Sequence, residues 1–411
     1  MSFQSNYELV PLGEVARFIN GDRSTNYPKG DDYVEDGIPF ISATELREGG
    51  IDYSGVRRIS RSAFERLRSG KIQRGDVLFC LRGSIGKIAY VKDGEPGAIA
   101  SSLVIVRTTE RIDSRYLFFA MSSQAGQQAA LGLNNGAAQP NLSAGELQKI
   151  PLPLPPLPIQ RRIAGILSAY DDLIENSQRR IKILESMARA LYREWFLHFR
   201  FPGHESVPRV PSPLGDIPQG WEVTKLGEIA EEMRRNVAKG QLDEPQPYVG
   251  LEHIPRRSLA LDAWETTTDL GSNKLEFKKG EVLFGKIRPY FHKVSVAPFD
   301  GLCSADTIVV RARRPEYYGF VVAYVSSDEF VAHATATSNG SKMPRANWGV
   351  LEERGVVIPK GKLASQLSSS VSGIIEQLQA LVFQIQNLRR TRDLLLPRLL
   401  SGQIEVEATV S

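Results

Sequence analysis

The chain has few of the residues that build disulfide frameworks or metal centres. Its 411 residues include two cysteines, Cys80 and Cys303, and no Cys-x-x-Cys pair. Its five histidines include no pair at metal-ligand spacing. These shortages argue against a disulfide-stabilised secreted domain and against a zinc site, and they make a reducing cytoplasm the expected compartment.

Long apolar stretches are also missing. Runs such as YLFFAM at 116–121 are far shorter than the roughly 20 residues that a membrane-spanning helix needs. The first ten residues, MSFQSNYELV, lack the charged-then-apolar pattern of a secretory signal. With 42% hydrophobic and 24% charged residues, the composition is typical of a globular protein with two or three domains.

Sequence signatures of catalysis are missing as well. GSIGKI at 83–88 has neither the spacing nor the hydroxyl residue of a phosphate-binding loop, and no other segment does. The Pro155–Pro156 pair follows Leu154, so the Asn/Asp-Pro-Pro-aromatic signature of amino-methyltransferases does not occur. We find no active site in the sequence. A stand-alone DNA-modifying enzyme is thereby disfavoured and stays an alternative.

What the sequence does contain is a duplication. YELVPLGEVA at 7–16 returns as WEVTKLGEIA at 221–230, and RGDVLF at 74–79 returns as KGEVLF at 279–284. ASSLVIVR at 100–107 and NGAAQP at 135–140 match SADTIVVR at 304–311 and NGSKMP at 339–344. Because the order of the matches is kept, the chain is predicted to be a tandem repeat of one unit of about 205 residues.

Each repeat combines a globular part with a long helix. Short β-type runs such as IPFIS, DVLFCL, KIAYV and SLVIVR, with a helical stretch at 114–132, predict a compact α+β domain. The rest of each repeat has apolar residues spaced by three and four. In the second repeat this heptad seam runs from Leu367 to Leu399 and is broken at Arg392. Two such helices, each on the order of 60 Å long, can bury each other's apolar stripe.

The predicted fold class is therefore α+β, with two similar globular domains of mixed helix and strand separated by two long helices. The helices form an antiparallel coiled coil in a pseudo-two-fold internal repeat, because the second domain follows the end of the first helix. The predicted boundaries are 1–155 for the first domain, 156–200 for the first helix, 201–216 for a linker, 217–360 for the second domain and 361–405 for the second helix.

Positive charge is concentrated in two blocks, although the net charge is only +4. Nine Lys or Arg stand against two acids from Arg57 to Lys87, and six against two from Lys274 to Lys293. Such blocks favour a polyanionic partner, nucleic acid first, with a solvated basic face as the open alternative. Two diverged domains at a fixed separation would read two different DNA half-sites.

Four runs resemble the specificity subunits of type I restriction–modification systems. They are LPLPPLPIQRRIAGILSAYDDLIE (152–175), LYREWFLHFRF (191–201), IPQGWEVTKLGEIAE (217–231) and LLPRLLSGQI (395–404). The resemblance implies a non-catalytic DNA-recognition subunit with two target-recognition domains that read a bipartite, asymmetric target in double-stranded DNA. It further implies that two methyltransferase subunits dock on the helices and that restriction translocase subunits join through the methyltransferase core. S-adenosylmethionine, ATP and magnesium would belong to those partners, with no cofactor on this chain and no membrane contact.

DNA contacts are expected from basic and amide side chains in the loops that follow shared strands. In the first domain they are Arg23, Lys29, Arg82, Ser84, Lys87, Asn135 and Gln139. In the second domain they are Arg234, Arg235, Lys239, Lys286, Arg288, Lys293, Lys342 and Arg345. Partner contacts, within the runs that carry the resemblance, are expected at Gln160, Arg161, Tyr170, Asp171, Asp172, Trp195 and Phe196.

Two further expectations concern the helices. A coiled-coil interaction scaffold without sequence-specific DNA binding would account for them but not for two basic, duplicated domains, and it stays open as an alternative. The prolines of PLPLPPLPIQ at 151–160 predict a stiff connection between the first domain and its helix, whereas the second repeat keeps only Pro359. The two domains are therefore predicted to be mounted with unequal rigidity.

Overall fold

The computed structural model describes residues 5–47, 50–133 and 141–407. It forms two compact units: unit one comprises Met1–Ile174 and Leu388–Ser411, and unit two comprises Glu175–Asn387. The first long helix is Leu157–Tyr192 and the second is Lys362–Ser401. Each unit therefore holds one globular part and one portion of each long helix. The predicted domain boundaries, which keep each helix whole, stay a prediction.

Unit one is built on two four-stranded sheets. The first has the antiparallel order Ala16–Asn20, Leu103–Thr108, Val77–Cys80, Ile88–Tyr90. The second has the order Ala98–Ile99, Ile38–Ile41, Arg58–Ile59, Tyr33–Val34, with its first two strands parallel. Leu9–Pro11 pairs with Pro151–Pro153, and Leu46–Arg47 pairs with Gly50–Ile51. The shorter helices are Leu12–Val15, Arg61–Arg66, Ser114–Ser122, Gln124–Gly132 and Ala144–Leu147, with a 3-10 turn at Gly30–Asp32.

Unit two repeats this plan. Its four-stranded antiparallel sheet has the order Ala230–Glu232, Thr307–Ala312, Val282–Gly285, Val294–Val296. Its five-stranded sheet has the order Arg235–Val237, Lys274–Phe277, Gly301–Ser304, Gly240–Val249, Glu265–Leu270. Glu222–Lys225 pairs with Gly355–Ile358, and Arg209–Val210 pairs with Ile217–Pro218. The shorter helices are Leu226–Ile229, Tyr318–Val325, Asp328–Ala336 and Trp348–Leu351, with 3-10 turns at His204–Ser206, Pro289–Phe291 and Pro315–Tyr317 and a π-helical turn at Arg193–Leu197.

The strand Val77–Cys80 shows why these residues form a central strand. All four side chains are buried, because the strand has a hydrophobic cluster on each face. Val77 and Phe79 belong to the cluster that contains the helix Ser114–Ser122, while Leu78 and Cys80 belong to the cluster on the other side. Side chains alternate between faces along a strand, so a strand covered on both faces needs a continuous apolar run.

The predicted helix at 114–132 is two helices, and Ser123 is the reason. Its hydroxyl donates to the Ala120 carbonyl at 2.7 Å and accepts the Gly126 backbone N–H at 3.1 Å. The residue thus ends one helix and caps the next, which is a common role of serine at a helix N-terminus. The chain bends there instead of continuing straight.

The long helices pack in antiparallel fashion within unit one. Ile163 and Leu167, near the start of the first helix, share a hydrophobic cluster with Leu396 and Leu399, near the end of the second. The predicted seam of the second helix is buried from Leu367 to Ile385 and again at Leu399. On the first helix, half of the Leu173 side-chain surface is exposed.

Each long helix starts with a polar side chain that binds the domain beside it, but the chemistry differs. In unit one, the Gln160 amide donates to the carbonyls of Pro155 and Arg111 at 2.8 and 3.2 Å and accepts the Asp113 N–H at 2.8 Å. In unit two, the Ser368 hydroxyl accepts the Gly319 N–H at 2.9 Å and donates to the Glu316 carbonyl at 2.7 Å.

Space at this junction in unit two is tight. A Cβ on Gly319 would lie 2.7 Å from the Ser368 Cα, so glycine allows the close approach of helix Tyr318–Val325. Unit one has Tyr116 near the corresponding place, and its hydroxyl donates to the Pro153 carbonyl at 2.8 Å. That bond fixes the proline strand to the domain. The two junctions are therefore chemically unequal.

In the part of the chain that the structure describes, no helix has both the length and the apolar character to cross a membrane.

Candidate nucleic-acid interface

A cluster of basic side chains forms in unit two beyond the end of the strand Val282–Gly285. The Lys286 backbone N–H donates to the Asp306 carbonyl at 2.9 Å, and the Lys286 carbonyl accepts the Ala346 N–H at 3.0 Å. A β-bridge joins Ile287 to Arg345. These bonds hold two loops from distant parts of the sequence side by side.

The side chains of these loops surround a surface depression of about 260 Å³, which is lined by Arg234, Lys286, Asn339 and Arg345 among others. Three of the predicted DNA-contacting cations therefore converge on one place. Arg234 is paired with Glu232 at 2.6 Å, and a terminal guanidinium nitrogen of Arg345 lies 3.7 Å from Asp306. Both arginine side chains stay largely exposed while a carboxylate orients them. Oriented, exposed cations are suited to binding an anionic ligand.

Unit one has Arg23 and Arg82 in the two loops that correspond to those of Arg234 and Lys286. Nε of Arg82 donates to Oδ1 of Asn141 at 3.2 Å, and Arg23 donates to the Ser101 carbonyl at 3.1 Å. Partial burial, with a contribution from the nearby Arg82 charge, lowers the pKa of Arg23. The positive charges of Arg23 and Arg82 therefore act on one another, and a phosphate group bound near them would relieve that repulsion.

Several other predicted DNA contacts are engaged within the chain. Arg235 forms an ion pair with Glu281, and Glu281 also accepts the Lys278 N–H at 2.8 Å. The Lys293 ammonium donates to the Leu251 carbonyl, and burial lowers the pKa of Lys293. These contacts give both residues a part in the fold.

The remaining predicted contacts are spread over the surface. Arg288 has a positive φ of 50° and its guanidinium lies 5.9 Å from the centre of the Phe291 ring, while Lys87 donates to the Ala43 carbonyl at 3.3 Å. Four other members are exposed, namely Lys29, Ser84, Lys239 and Lys342. Asn135 and Gln139 lie outside the described residues. All of these stay predictions.

The predicted partner-binding residues fall into two groups. Gln160, Trp195 and Phe196 are buried and are used by the chain itself. The Phe196 ring centre lies 4.8 Å from that of Phe320 and 5.4 Å from that of Trp221, within unit two. The more accessible group consists of Arg161, Tyr170, Asp171 and Asp172. Asp171 nevertheless binds Arg392 in unit one, at 2.7 Å.

Sequence reasoning missed three residues that organise these regions. Asn141 lies in the basic cluster of unit one, and the repeat offset of 204 applied to Arg345 would have found it. Asp306 has no such signal, since unit one has Ser102 there. Glu185 is buried on the first long helix, and its Oε1 accepts the N–H groups of Leu259 and Ala260 at 2.8 and 3.2 Å.

A separate cavity of about 390 Å³ lies in unit two beside the first long helix. Arg189, Arg257, His292 and Asp328 contribute polar groups to it, and apolar side chains such as Val294 and Val322 also line it. Arg257 is already paired with Asp328 at 2.8 Å. Among the described residues, no group of three or more His, Cys, Asp or Glu is placed to hold a metal ion.

Comparison with known proteins shows which family the chain resembles. A family model described as the type I restriction modification DNA specificity domain matches residues 4–186. The MjaIX type I restriction enzyme specificity subunit of Methanocaldococcus jannaschii is 24% identical over 416 residues, which cover 97% of this chain and 93% of that protein. The chain is therefore similar to type I restriction enzyme specificity subunits along 97% of its length.

Further members of the specificity-subunit family agree. The EcoDI specificity subunit of Escherichia coli is 23% identical over 377 residues, covering 86% of this chain and 78% of that protein. The crystal structure of a type I restriction–modification S subunit from M. genitalium superposes with a TM-score of 0.62 at 16% identity, over 97% of this chain and 99% of that one. That superposition shows a shared fold.

Proposed function

We propose that this chain is a type I restriction–modification specificity subunit, that it recognises a bipartite, asymmetric DNA sequence and that it carries out no chemistry itself. The observation that carries the proposal is the convergence of Arg234, Lys286 and Arg345 in one unit and of Arg23 and Arg82 in the other. Basic side chains in equivalent loops of a duplicated fold would supply affinity through phosphate contacts and could also contact base edges. Differences between the two loop sets would let each domain read its own half-site.

The second part of the proposal is that methyltransferase subunits dock on the long helices and connect the complex to restriction translocase subunits. Apolar side chains on the outer faces of both helices support it: Leu173, Ile183 and Met187 on the first, Phe383 and Leu394 on the second. Large exposed apolar residues on a helix favour a protein partner. In this proposal S-adenosylmethionine, ATP and magnesium belong to the partners, and the two long helices set the spacing of two target-recognition domains in the cytoplasm.

The test is a map of methylated bases across the host genome, with and without the gene for this chain. We expect a split motif with an unread spacer to disappear when the gene is deleted and to return when it is restored. DNA methylation by this polypeptide alone, given S-adenosylmethionine, would contradict the proposal and favour the stand-alone enzyme.

A binding titration of the assembled complex separates the proposal from the interaction scaffold. We expect affinity for DNA to fall steeply with salt and to depend on sequence, because released counterions drive the phosphate contacts. Affinity that is insensitive to both salt and sequence would favour the scaffold. Alanine variants of Arg23 and Arg234 should reduce the salt dependence by about one ion each.

A further inference from the structure

Backbone hydrogen bonds hold the loop of unit one that follows the strand Val77–Cys80 and carries Arg82. We call this loop, and its counterpart after Val282–Gly285 in unit two, the reading loops. The Leu81 N–H donates to the Ser102 carbonyl, and the Leu81 carbonyl accepts the Leu142 N–H, both at 2.9 Å. A β-bridge then places Arg82 opposite Asn141. The backbone at Asn141 is therefore fixed from both neighbouring segments, although its side chain is exposed.

Unit two repeats this arrangement bond for bond. Lys286 takes the place of Leu81. Its N–H donates to the Asp306 carbonyl, and its carbonyl accepts the Ala346 N–H. The β-bridge joins Ile287 to Arg345. Lys286 follows Leu81 by 205 residues and Arg345 follows Asn141 by 204, in keeping with the offsets of the sequence repeat. Asn141 and Arg345 thus occupy the same position on the same frame.

The side chains on this frame differ in a coordinated way. In unit one, Nε of Arg82 binds Oδ1 of Asn141 at 3.2 Å and orients the amide. In unit two, Ile287 replaces that arginine, and Asp306 supplies a carboxylate 3.7 Å from the Arg345 guanidinium. Unit one has the neutral Ser102 where unit two has Asp306. Each unit therefore presents one exposed side chain of base-reading type beside one polar group that restrains it.

The chemistry of the two side chains indicates what each would read. An asparagine amide can accept from N6 and donate to N7 of adenine, and an arginine fork can donate to O6 and N7 of guanine. We propose that Asn141 and Arg345 are equivalent specificity-determining positions, with Asn141 favouring adenine in one half-site and Arg345 favouring guanine in the other. This inference rests on the proposed function and adds the residues that distinguish the two half-sites.

The test measures which sequences the assembled complex selects from a randomised library of DNA duplexes. The variants are R345N, which places the unit-one residue in unit two, and N141R, which does the reverse. We expect R345N to abolish the preference for guanine at one base pair of one half-site, by roughly 10- to 100-fold. The other half-site should be unchanged. N141R should alter one base pair of the opposite half-site only.

Two further variants keep the outcome decisive. R345K retains the charge but loses the planar fork, so it should weaken the guanine preference and keep most of the salt dependence. K342A removes an exposed charge three residues away, and it should weaken binding evenly across sequences, as a phosphate contact does. Thermal unfolding of each complex checks that the variants are folded.

The outcomes separate this inference from the proposed function. If the unaltered complex selects a defined sequence and R345N, R345K and N141R all leave it unchanged, the assignment of these residues is wrong while the proposed function stands. If R345N weakened DNA binding equally for all sequences, Arg345 would be a phosphate contact. That result would also overturn the assignment. If the unaltered complex selects no sequence, the proposed function fails and this inference fails with it.

Discussion

Nη1 of Arg392 lies 2.7 Å from Oδ1 of Asp171, and the two side chains are only 13% and 15% exposed. Asp171 belongs to the first long helix and Arg392 to the second, so the ion pair connects the two helices within unit one. Arg392 is also the residue that breaks the heptad seam. A break in an apolar seam is thus filled by a charged pair that the opposite helix completes.

We expect R392M to lower the free energy of unfolding by about 1–3 kcal/mol, because it leaves the Asp171 carboxylate largely buried without this partner. The loss is smaller than for a fully buried pair because both side chains keep some contact with water. Chemical denaturation of the full chain measures the change. The double variant R392M/D171L should recover most of the loss, since an apolar pair can replace a buried ion pair. An R392M protein as stable as the unaltered one would contradict this account.

The sequence predicts that the seam breaks at Arg392 but not that Asp171 completes it. Heptad spacing shows which face of a helix is apolar, whereas the pairing depends on how far one helix is shifted along the other. That shift brings Ile163 and Leu167 into one hydrophobic cluster with Leu396 and Leu399, which are more than 200 residues away in sequence. Local patterns carry no information about it.

The buried carboxylate of Glu185 gives a second prediction. Its Oε1 accepts the Ser258 hydroxyl at 2.6 Å as well as two backbone N–H groups, so one oxygen binds a whole turn of unit two. E185A would leave these donors buried without an acceptor, and we expect a loss of about 2–4 kcal/mol in unfolding free energy.

E185Q is the matched control for that experiment. Its side-chain amide keeps an oxygen acceptor of the same reach, so it should retain much more stability than E185A. Denaturation curves of the two variants make the comparison. If E185A and E185Q lost the same unfolding free energy, the turn would require the negative charge of Glu185 and not only its oxygen acceptor.

Aromatic residues show a further limit of sequence reasoning. Trp195 and Phe196 follow the end of a long amphipathic helix, a pattern that is equally typical of a docking site and of a helix end that packs on its own domain. The structure places both in the core of unit two, where Phe196 contacts Phe320 and Trp221. By contrast, the duplicated strands and the basic loops follow the sequence repeat closely, because they depend on local patterns.

Stability should also depend on pH through His292. Burial lowers the pKa of this imidazole, and Nε2 lies 2.9 Å from the Ser326 carbonyl. The folded state therefore binds a proton less readily than the unfolded state. As the pH falls below about 6.5, the unfolded state gains a proton that the folded state does not, so the free energy of unfolding decreases. For one such group the slope cannot exceed about 1.4 kcal/mol per pH unit.

H292N tests the origin of this slope. Asparagine tolerates the positive φ of 52° at this position, and it does not titrate. We expect the free energy of unfolding to decrease less between pH 7 and pH 5 in H292N than in the unaltered protein. Burial also lowers the pKa of His333, so His333 contributes a decrease of the same sign in both proteins. H198N, which removes an exposed histidine, is the matched control. A slope that is identical in H292N and the unaltered protein would assign the pH dependence to other groups.

The last prediction concerns the long helices as a spacer. The two units divide the first helix between Ile174 and Glu175 and the second between Asn387 and Leu388. Seven residues inserted at both points would keep the heptad phase and lengthen each helix by about 10 Å. On the proposed function, the unread spacer of the DNA target should lengthen, by at most about three base pairs at 3.4 Å each. Both half-sites should stay the same, because the reading loops are untouched.

Methylation mapping of a host that carries the lengthened chain gives the new motif directly. An insertion in one helix alone is the control, since it puts the two seams out of step and should abolish modification. A changed spacer with unchanged half-sites would show that the helices set the length of the spacer and that the domains select the bases. Altered half-sites in the matched insertion would mean that the helices also influence which bases are read, and the proposed division of roles would then be wrong.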